Sequence, residues 1–372
     1  SDRFIGSDEP TAEEIWGIFE EAQRNFDIFH FHYNRSFIWR DIQNLPAFWD
    51  LPLLKSLGKK VFFTFHGSDI RLKSLDKDLY KWSYYNFSDV PCDENEIKKR
   101  RDLILSYADK TFVCSVLDLP FTPSSDWYPL AIDLNEWSLL GPQNKDKPKV
   151  LHPWVDNPAK GTKFIKEGLE QLKKEGVKFS SVFLDGVSHA EAKEAFSDSD
   201  IIIDRVVAGT YGVASLEAMA LGKPTLAQLE QAVIDKLPDV PVQNCNPENF
   251  TEKVEPLLRD YDLRCKLGSE GRSFVEKYHD NVKVAERLLS YYEKPPRQVP
   301  ITQPDLITRR QVDSLDGEIK KLQDNLNIVR KREKMRIEEL RRALYPHRYI
   351  IHVTLVVARR IKLIAGFLFN KK

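Results

Sequence analysis

The sequence predicts an α/β protein of two consecutive parallel-sheet units, with a helical tail behind them. Three observations carry this. Short apolar runs alternate with helix-length amphipathic stretches, the alternation repeats after a polar break, and about the last fifth changes to heptad and basic patterns. In the first series a helix is expected over residues 12–24. FDIFHFHY (Phe26–Tyr33) reads as a buried strand, and KKVFFTFHG (Lys59–Gly67) as another that ends on a glycine turn. A helix over 95–108 and the strand KTFVCS (Lys110–Ser115) follow. These strands are nearly continuous apolar runs, as expected when helices cover both faces of a parallel sheet. The polar run GPQNKDKPK (Gly141–Lys149) is the break. Beyond it, strands are expected near 149–153, 180–184, 200–204 and 224–227, with helices near 161–175, 189–197 and 213–221 between them. A long amphipathic segment over 270–293 closes the second unit. The expected units are therefore 1–143 and 144–275, a closing helix over 276–293 and a linker over 294–306. The tail divides into 307–345 and 347–372.

The linker EKPPRQVPITQP (Glu293–Pro304) is proline-rich and expected to be extended. After it, Val312, Leu315, Ile319, Leu322, Leu326 and Val329 fall at alternating spacings of three and four, a heptad seam. The seam weakens at Glu333 and Arg336 and resumes at Leu340 and Leu344. A coiled coil over 307–345 is expected, with self-association through 312–344; a helix packed on its own domain is the competing reading. Pro346 ends that helix. In 347–372, Tyr349, Ile350, Val353, Val356, Val357, Ile361, Ile364, Phe367 and Leu368 share one helical face. Arg348, His352, Arg359 and Lys362 lie opposite. Charges in mid-segment cost about 2.5–3.5 kcal/mol each at a bilayer centre, which disfavours a span. A basic amphipathic helix lying in an anionic membrane surface fits this pattern, with a partner-binding helix as the alternative.

Charge distribution points the same way. The 372 residues balance 56 Lys and Arg against 56 Asp and Glu. Yet residues 301–372 hold 17 basic and 8 acidic side chains, so the preceding body carries an equal acidic excess. A basic tail on an acidic body suits an anionic surface; its aliphatic face favours lipid over nucleic acid. A content of 42% hydrophobic and 11% aromatic residues suits a globular body rather than a disordered one. Cys92, Cys114, Cys245 and Cys265 have no metal-ligand or redox-motif spacing and are expected to be reduced. No signal peptide is recognised, and a cytoplasmic protein, peripheral on the inner face of the cell membrane, is expected.

The chemistry concentrates in DRVVAGTYGVASLEAMALGKP (Asp204–Pro224). Gly209 and Gly212 bracket a turn that leads into a helix, an arrangement whose free amides receive phosphate oxygens. Glu217 lies about one and a half turns into that helix, where a carboxylate can accept both hydroxyls of a ribose. On these residues alone, a plain helix start competes with a phosphate site.

YGVASLEAMALGKP (Tyr211–Pro224) resembles the nucleotide-binding motif of the family 4 retaining glycosyltransferases. Four further segments agree in order. They are TFHGSDIR (Thr64–Arg71), ADKTFVCSVLDL (Ala108–Leu119), WYPLAIDLNEW (Trp127–Trp137) and HPWVDNPAKGT (His152–Thr162). The resemblance covers about Phe26 to Glu293 and implies the GT-B fold, two Rossmann-like domains facing a cleft, the first on the acceptor side and the second holding a nucleotide sugar. It implies that Glu217 holds the ribose and Lys160 neutralises the donor diphosphate. Gly209 and Thr210 would form the turn, and Tyr211, Gly212 and Val213 would offer backbone amides. It further implies that His66 bonds a donor-sugar hydroxyl, that Gly67 permits close backbone approach, and that Asp69 orients His66 or caps a helix. His30 and His32 share one strand face; strand histidines near the cleft are preferred over a zinc pair. No metal and no cofactor are implied beyond the donor itself, and the acceptor would be a glycan or a lipid-linked molecule.

Two departures stand out. The family places a first glutamate where this chain has Gly209, which implies a changed sugar preference, a substitute such as Asp204, or weak activity. The family also opens on a strand and a glycine-rich loop without counterpart in residues 1–25, and the chain starts on Ser1 rather than Met. The first domain is therefore expected to be truncated or divergent, with an exposed sheet edge. The implied reaction transfers a sugar with retention, in polysaccharide or glycolipid synthesis. The alternatives are a non-catalytic nucleotide-sugar-binding scaffold at a membrane and a GT-B sugar-nucleotide epimerase. A nicotinamide dehydrogenase is disfavoured, because no G-x-G-x-x-G follows a strand.

Overall fold

The computed structural model describes residues 12–41, 46–153, 160–300, 326–328 and 331. The chain divides into a compact unit over Ser1–Leu306 and a second over Ile307–Lys372. The expected coiled coil and the basic amphipathic helix fall in the second and, apart from 326–328 and 331, lie outside the described residues. Among the described residues no helix is long and apolar enough to cross a membrane.

The larger unit holds two parallel sheets. Helix α1 (Ala12–Asn25) leads into β1 (Ile28–His32), and α2 (Asp50–Ser56) into β2 (Lys60–Phe65). Then come α3 (Lys73–Leu79), α4 (Glu94–Tyr107), β3 (Lys110–Val113) and the short β4 (Asp126–Trp127). The strand order is simply β1-β2-β3-β4, all parallel. Phe29, Val61, Phe63, Phe65 and Val113 are buried against Phe19, Leu51, Leu54 and Ile104 of the flanking helices. Aromatic and β-branched side chains suit strands covered on both faces. Among the described residues no strand pairs with the outer edge of β1.

The second sheet comprises β5 (Lys149–Pro153), β6 (Ser180–Leu184), β7 (Ile201–Arg205), β8 (Thr225–Ala227) and β9 (Gln243–Asn244). Between the strands run α5 (Thr162–Lys174), α6 (His189–Asp198), α7 (Val213–Ala220) and α8 (Gln231–Lys236); α9 (Phe250–Arg259) and α10 (Tyr261–Tyr278) follow. Here the order is β6-β5-β7-β8-β9, again all parallel. The chain leaves β5 toward one side and returns on the other, so the winding reverses between β5 and β7. In open α/β sheets the crevice at the carboxyl ends of the strands beside such a reversal is where ligands bind. Lys160 follows β5 and Asp204–Val213 follows β7, so sheet topology alone brings both segments to that crevice.

Two expectations need correction. The polar run Gly141–Lys149 is not a free linker: Leu140 and Gly141 donate their amides to the Leu221 carbonyl at 3.0 and 2.9 Å, and the Gln143 amide donates to Asp200 at 2.7 Å. The amphipathic segment 270–293 is not one helix closing the second domain. It breaks at His279–Asp280, where the Asp280 carboxylate caps α11 (Asn281–Tyr292) by accepting from the Val282 and Lys283 amides. Helix α11 crosses to the first sheet. There Tyr291 donates to Asp126 at 2.7 Å, Lys60 donates to the Tyr292 carbonyl at 2.6 Å, and Arg287 donates to the Trp127 carbonyl at 2.9 Å. The helix that ends the second domain therefore belongs, by packing, to the first.

Candidate functional site

The site is built around a bulge. Strand β7 pairs with β8 through Ile203↔Leu226 and then Arg205↔Ala227, leaving Asp204 as the extra residue. A bulge re-aims side chains, so neighbouring residues 204 and 205 both address the carboxyl-end crevice. Asp204 is fully buried. One carboxylate oxygen accepts from the Lys160 ammonium; the other accepts from the Gly212 amide at 3.0 Å and the Ser215 hydroxyl at 2.7 Å. Burial alone would raise the Asp204 pKa, but the charges of Arg205 and Lys160 and the bonds from Lys160 and Ser215 outweigh it and hold the carboxyl far below the usual range. Burial pulls the Lys160 ammonium below its ordinary value while Asp204 opposes that shift. Asp204 thus does not act as a substitute for the missing glutamate. It is committed to Lys160 and to the start of α7.

Gly209 and Gly212 shape the turn for different reasons. Gly209 has φ +77°, the left-handed region, and a Cβ there would meet Leu117 Cδ1 at 2.5 Å and Glu230 Cγ at 2.8 Å. A side chain at this position would therefore require Leu117 and Glu230 to shift on a strained backbone, and the Glu230 stem occupies the space beside it. Glu230 is tied to the turn: its amide donates to the Gly209 carbonyl at 2.9 Å and its carboxylate accepts from Gln228 at 2.8 Å. Gln228 in turn accepts from the Gly209 amide at 2.5 Å. Burial raises the Glu230 pKa. Gly212 needs its missing Cβ for space, since Arg205 Nη2 would lie 2.1 Å from it.

Helix α7 begins at Val213 with no side-chain cap, so the helix presents amides and its positive end to the crevice. Val213 itself is exposed. Glu217, one turn on, is half-buried and its carboxylate makes no hydrogen bond among the described residues. Burial, reinforced by the charge of Asp204, pushes its pKa up to about 7. Thr210 and Tyr211 border a narrow crevice that also takes in Cys114, Ser115, Leu130 and His279. The Tyr211 phenol points away from the turn, bonding His279 at 3.0 Å; its contribution to a ligand is limited to backbone.

The histidine cluster of the first sheet adjoins this crevice through Cys114. His66 follows β2, and its ring meets His32 Nδ1 at 3.0 Å through Nε2 and Cys114 Sγ at 3.5 Å through Nδ1. Tyr33 stacks on it at 4.3 Å. Burial lowers the His66 pKa to about 4, so the ring is neutral near pH 7. Asp69 accepts from the His66 backbone amide at 2.8 Å, so it fixes the turn rather than orienting the imidazole as the resemblance suggested. Its carboxyl is pushed up to about 7 by burial. Gly67 has φ +106°, and a Cβ there would have only ordinary contacts, so its requirement is the backbone angle. His30 stacks on His32 at 4.9 Å but spends both ring nitrogens on Tyr292 and Thr64, at 2.5 and 2.7 Å. Among the described residues no three His, Cys, Asp or Glu side chains are placed to hold a metal ion. The four cysteines are free thiols.

Sheet topology therefore gathers Lys160, Gly209, Thr210, Tyr211, Gly212, Val213 and Glu217 around the carboxyl ends of β5 and β7, and His66, Gly67 and Asp69 around the end of β2. Reading the sequence missed Arg205, Gln228 and Glu230, none of which had a periodicity or motif signal of its own.

Comparisons with known proteins agree on architecture. No protein-family model matches the chain. A 72-residue stretch is 32% identical to an uncharacterized glycosyltransferase of Methanocaldococcus jannaschii, covering 18% of this chain and 20% of that protein. The match thus spans about a fifth of the curated relative's length. The sucrose-phosphate synthase of Thermosynechococcus elongatus superposes with a TM-score of 0.53 at 12% identity, over 75% of this chain and 76% of that one. The catalytic domain of starch synthase IV from Arabidopsis thaliana, in a structure with ADP and acarbose, gives 0.51 at 14% identity, over 78% and 79%. The fold is the GT-B arrangement of two α/β domains about a cleft.

Proposed function

We propose that this protein is a glycosyltransferase that moves a sugar from a nucleoside-diphosphate sugar to an acceptor hydroxyl, with retention of configuration and without a metal, in the manner of the family 4 enzymes it resembles. The observation that carries the reading is Glu217. A half-buried carboxylate without a hydrogen-bond partner among the described residues sits one turn into a helix whose uncapped amides open onto the topological switch point. A ribose diol satisfies that carboxylate, and a diphosphate satisfies the helix terminus. In the reaction the acceptor oxygen bonds to the anomeric carbon as its bond to the phosphate oxygen breaks. The acceptor proton passes to the departing diphosphate, whose charge is received by the positive end of α7 and the cations beside it. His66, neutral near pH 7, is assigned to a sugar hydroxyl. The acceptor is assigned to the glycan or lipid-linked class, with the protein cytoplasmic, held at an anionic membrane surface through 347–372 and self-associating through 312–344.

A thermal-shift series with uridine, guanosine and adenosine diphosphate sugars tests the donor half. A ligand at a hundredfold excess over Kd stabilises by about 2.7 kcal/mol. Glu217→Ala removes the shift if the assignment is right. Absence of any shift with the whole series sinks it. A second reading, donor binding without turnover, is favoured by one observation: Asp204 neutralises Lys160 in place. A shift accompanied by no sugar transfer or donor hydrolysis selects that reading.

A further inference from the structure

Lys160 and Arg205 are the cations beside the start of α7, but they are not equivalent. Lys160 is 4% exposed and its ammonium is spent on Asp204, whose charge cancels it in place. Arg205 lies 3.4 Å from the same carboxylate through Nε, yet that buried nitrogen has no hydrogen-bond partner among the described residues. An unpaired buried donor on a charged group is costly, and such a group is commonly satisfied by a ligand. The guanidinium also lies directly against the Gly212 backbone, where a Cβ would stand 2.1 Å from Nη2. Lys160, Arg205 and Asp204 together carry one net positive charge, with Glu217 close enough to feel it, and they sit at the positive end of a helix.

We infer that Arg205 is the residue that contacts the donor diphosphate directly, while Lys160 is a positioning residue that holds Asp204, and through it the Gly212 turn, in place. This rests on the nucleotide-sugar reading of the site. A planar guanidinium offers two parallel donors to phosphate oxygens, which a buried, paired ammonium does not. The division of labour also accounts for the bulge: without it, Asp204 and Arg205 would point to opposite faces of the sheet.

The test uses the full chain and measures the affinity of uridine, guanosine and adenosine diphosphates by calorimetry. Binding of the matching nucleosides is followed by saturation-transfer NMR, and the fold is checked by melting temperature. Arg205→Gln is expected to weaken the preferred diphosphate by about tenfold or more, the scale of a lost charged hydrogen bond, with nucleoside binding and a cooperative melting transition retained. Arg205→Lys is expected to fall between wild type and Arg205→Gln. Undiminished diphosphate affinity in Arg205→Gln overturns the inference and leaves the site reading standing. Equal loss of nucleoside and diphosphate binding makes Arg205 structural and also overturns it. If no diphosphate binds the wild-type chain, the site reading fails and takes this inference with it.

Discussion

Replacing Lys160 with methionine isolates the interaction at the centre of the site. Asp204 is fully buried, and after the change it keeps the Gly212 amide, the Ser215 hydroxyl and Arg205 at 3.4 Å, but loses the countercharge that is hydrogen-bonded to it. Removing one partner of a buried pair costs about 3–5 kcal/mol. The bonds that remain place this case near the lower end, about 3 kcal/mol. For a body of this size each kcal/mol lowers the melting temperature by about 2–4 °C, so a fall of about 6–12 °C is expected. Adding Asp204→Asn removes the stranded charge while its amide oxygen still accepts from Gly212 and Ser215, and is expected to recover part of the loss, because the penalty of an unpaired buried charge is relieved. The pH dependence has a definite sign. In wild type the Asp204 pKa is depressed, so its contribution is present above the unfolded value of about 3.9 and is lost as pH falls through the folded one. Lys160→Met raises the folded value, so the deficit of the variant is largest near neutral pH and narrows toward about pH 4. Calorimetric melting of the wild type, both single variants and the double variant across pH 4.5–8 checks this. A melting temperature in Lys160→Met within about 2 °C of wild type, or a double variant no better than the single one, refutes the reasoning.

Glu217 titrates with the opposite sign: its raised pKa gives stability that is full below the unfolded value of about 4.3 and lost as pH rises through about 7. Unliganded protein should therefore soften over that window while nucleotide affinity rises, since the carboxylate accepts from ribose; Glu217→Gln should flatten both curves in paired melting and calorimetry. Gly209→Ala combines a left-handed backbone with contacts at 2.5 and 2.8 Å to Leu117 and Glu230, so a loss of about 2–4 kcal/mol is expected in urea unfolding. A neutral result there would mean the turn relaxes. Tyr292→Phe leaves His30 Nδ1 without its partner and should cost about 1–3 kcal/mol, weakening the hold of α11 on the first sheet. Deleting 347–372 should abolish sedimentation with anionic liposomes, and unchanged binding would remove that segment as a membrane anchor.

Much of the fold could be read without coordinates because its strands are apolar runs with turns at their ends. β6 falls where expected, over Ser180–Leu184, and β5 over Lys149–Pro153. The short strands β4 and β9 had no such signal: each pairs through only two residues, Asp126–Trp127 and Gln243–Asn244, which carry no apolar run. The break between α10 and α11 has neither glycine nor proline to mark it, although Asp280 was available as a cap. At the site, Glu217 and the glycine turn were legible because they lie close together on a single turn and helix. Arg205, Gln228 and Glu230 were not, since the crevice gathers them from the ends of two adjacent strands.

The sequence by itself determined the two parallel sheets, the carboxyl-end turn and the carboxylate behind it, because hydrophobic period and glycine placement act over a few residues. Tertiary structure alone decided how the charges combine. Lys160 and Asp204 are separated by 44 positions, and only the reversal of winding between β5 and β7 brings them into contact. It also decided that a side chain at Gly209 would have to displace its neighbours, because Leu117 of one domain and Glu230 of the other close over it. Such contacts depend on strand register and domain packing, and no local pattern encodes them.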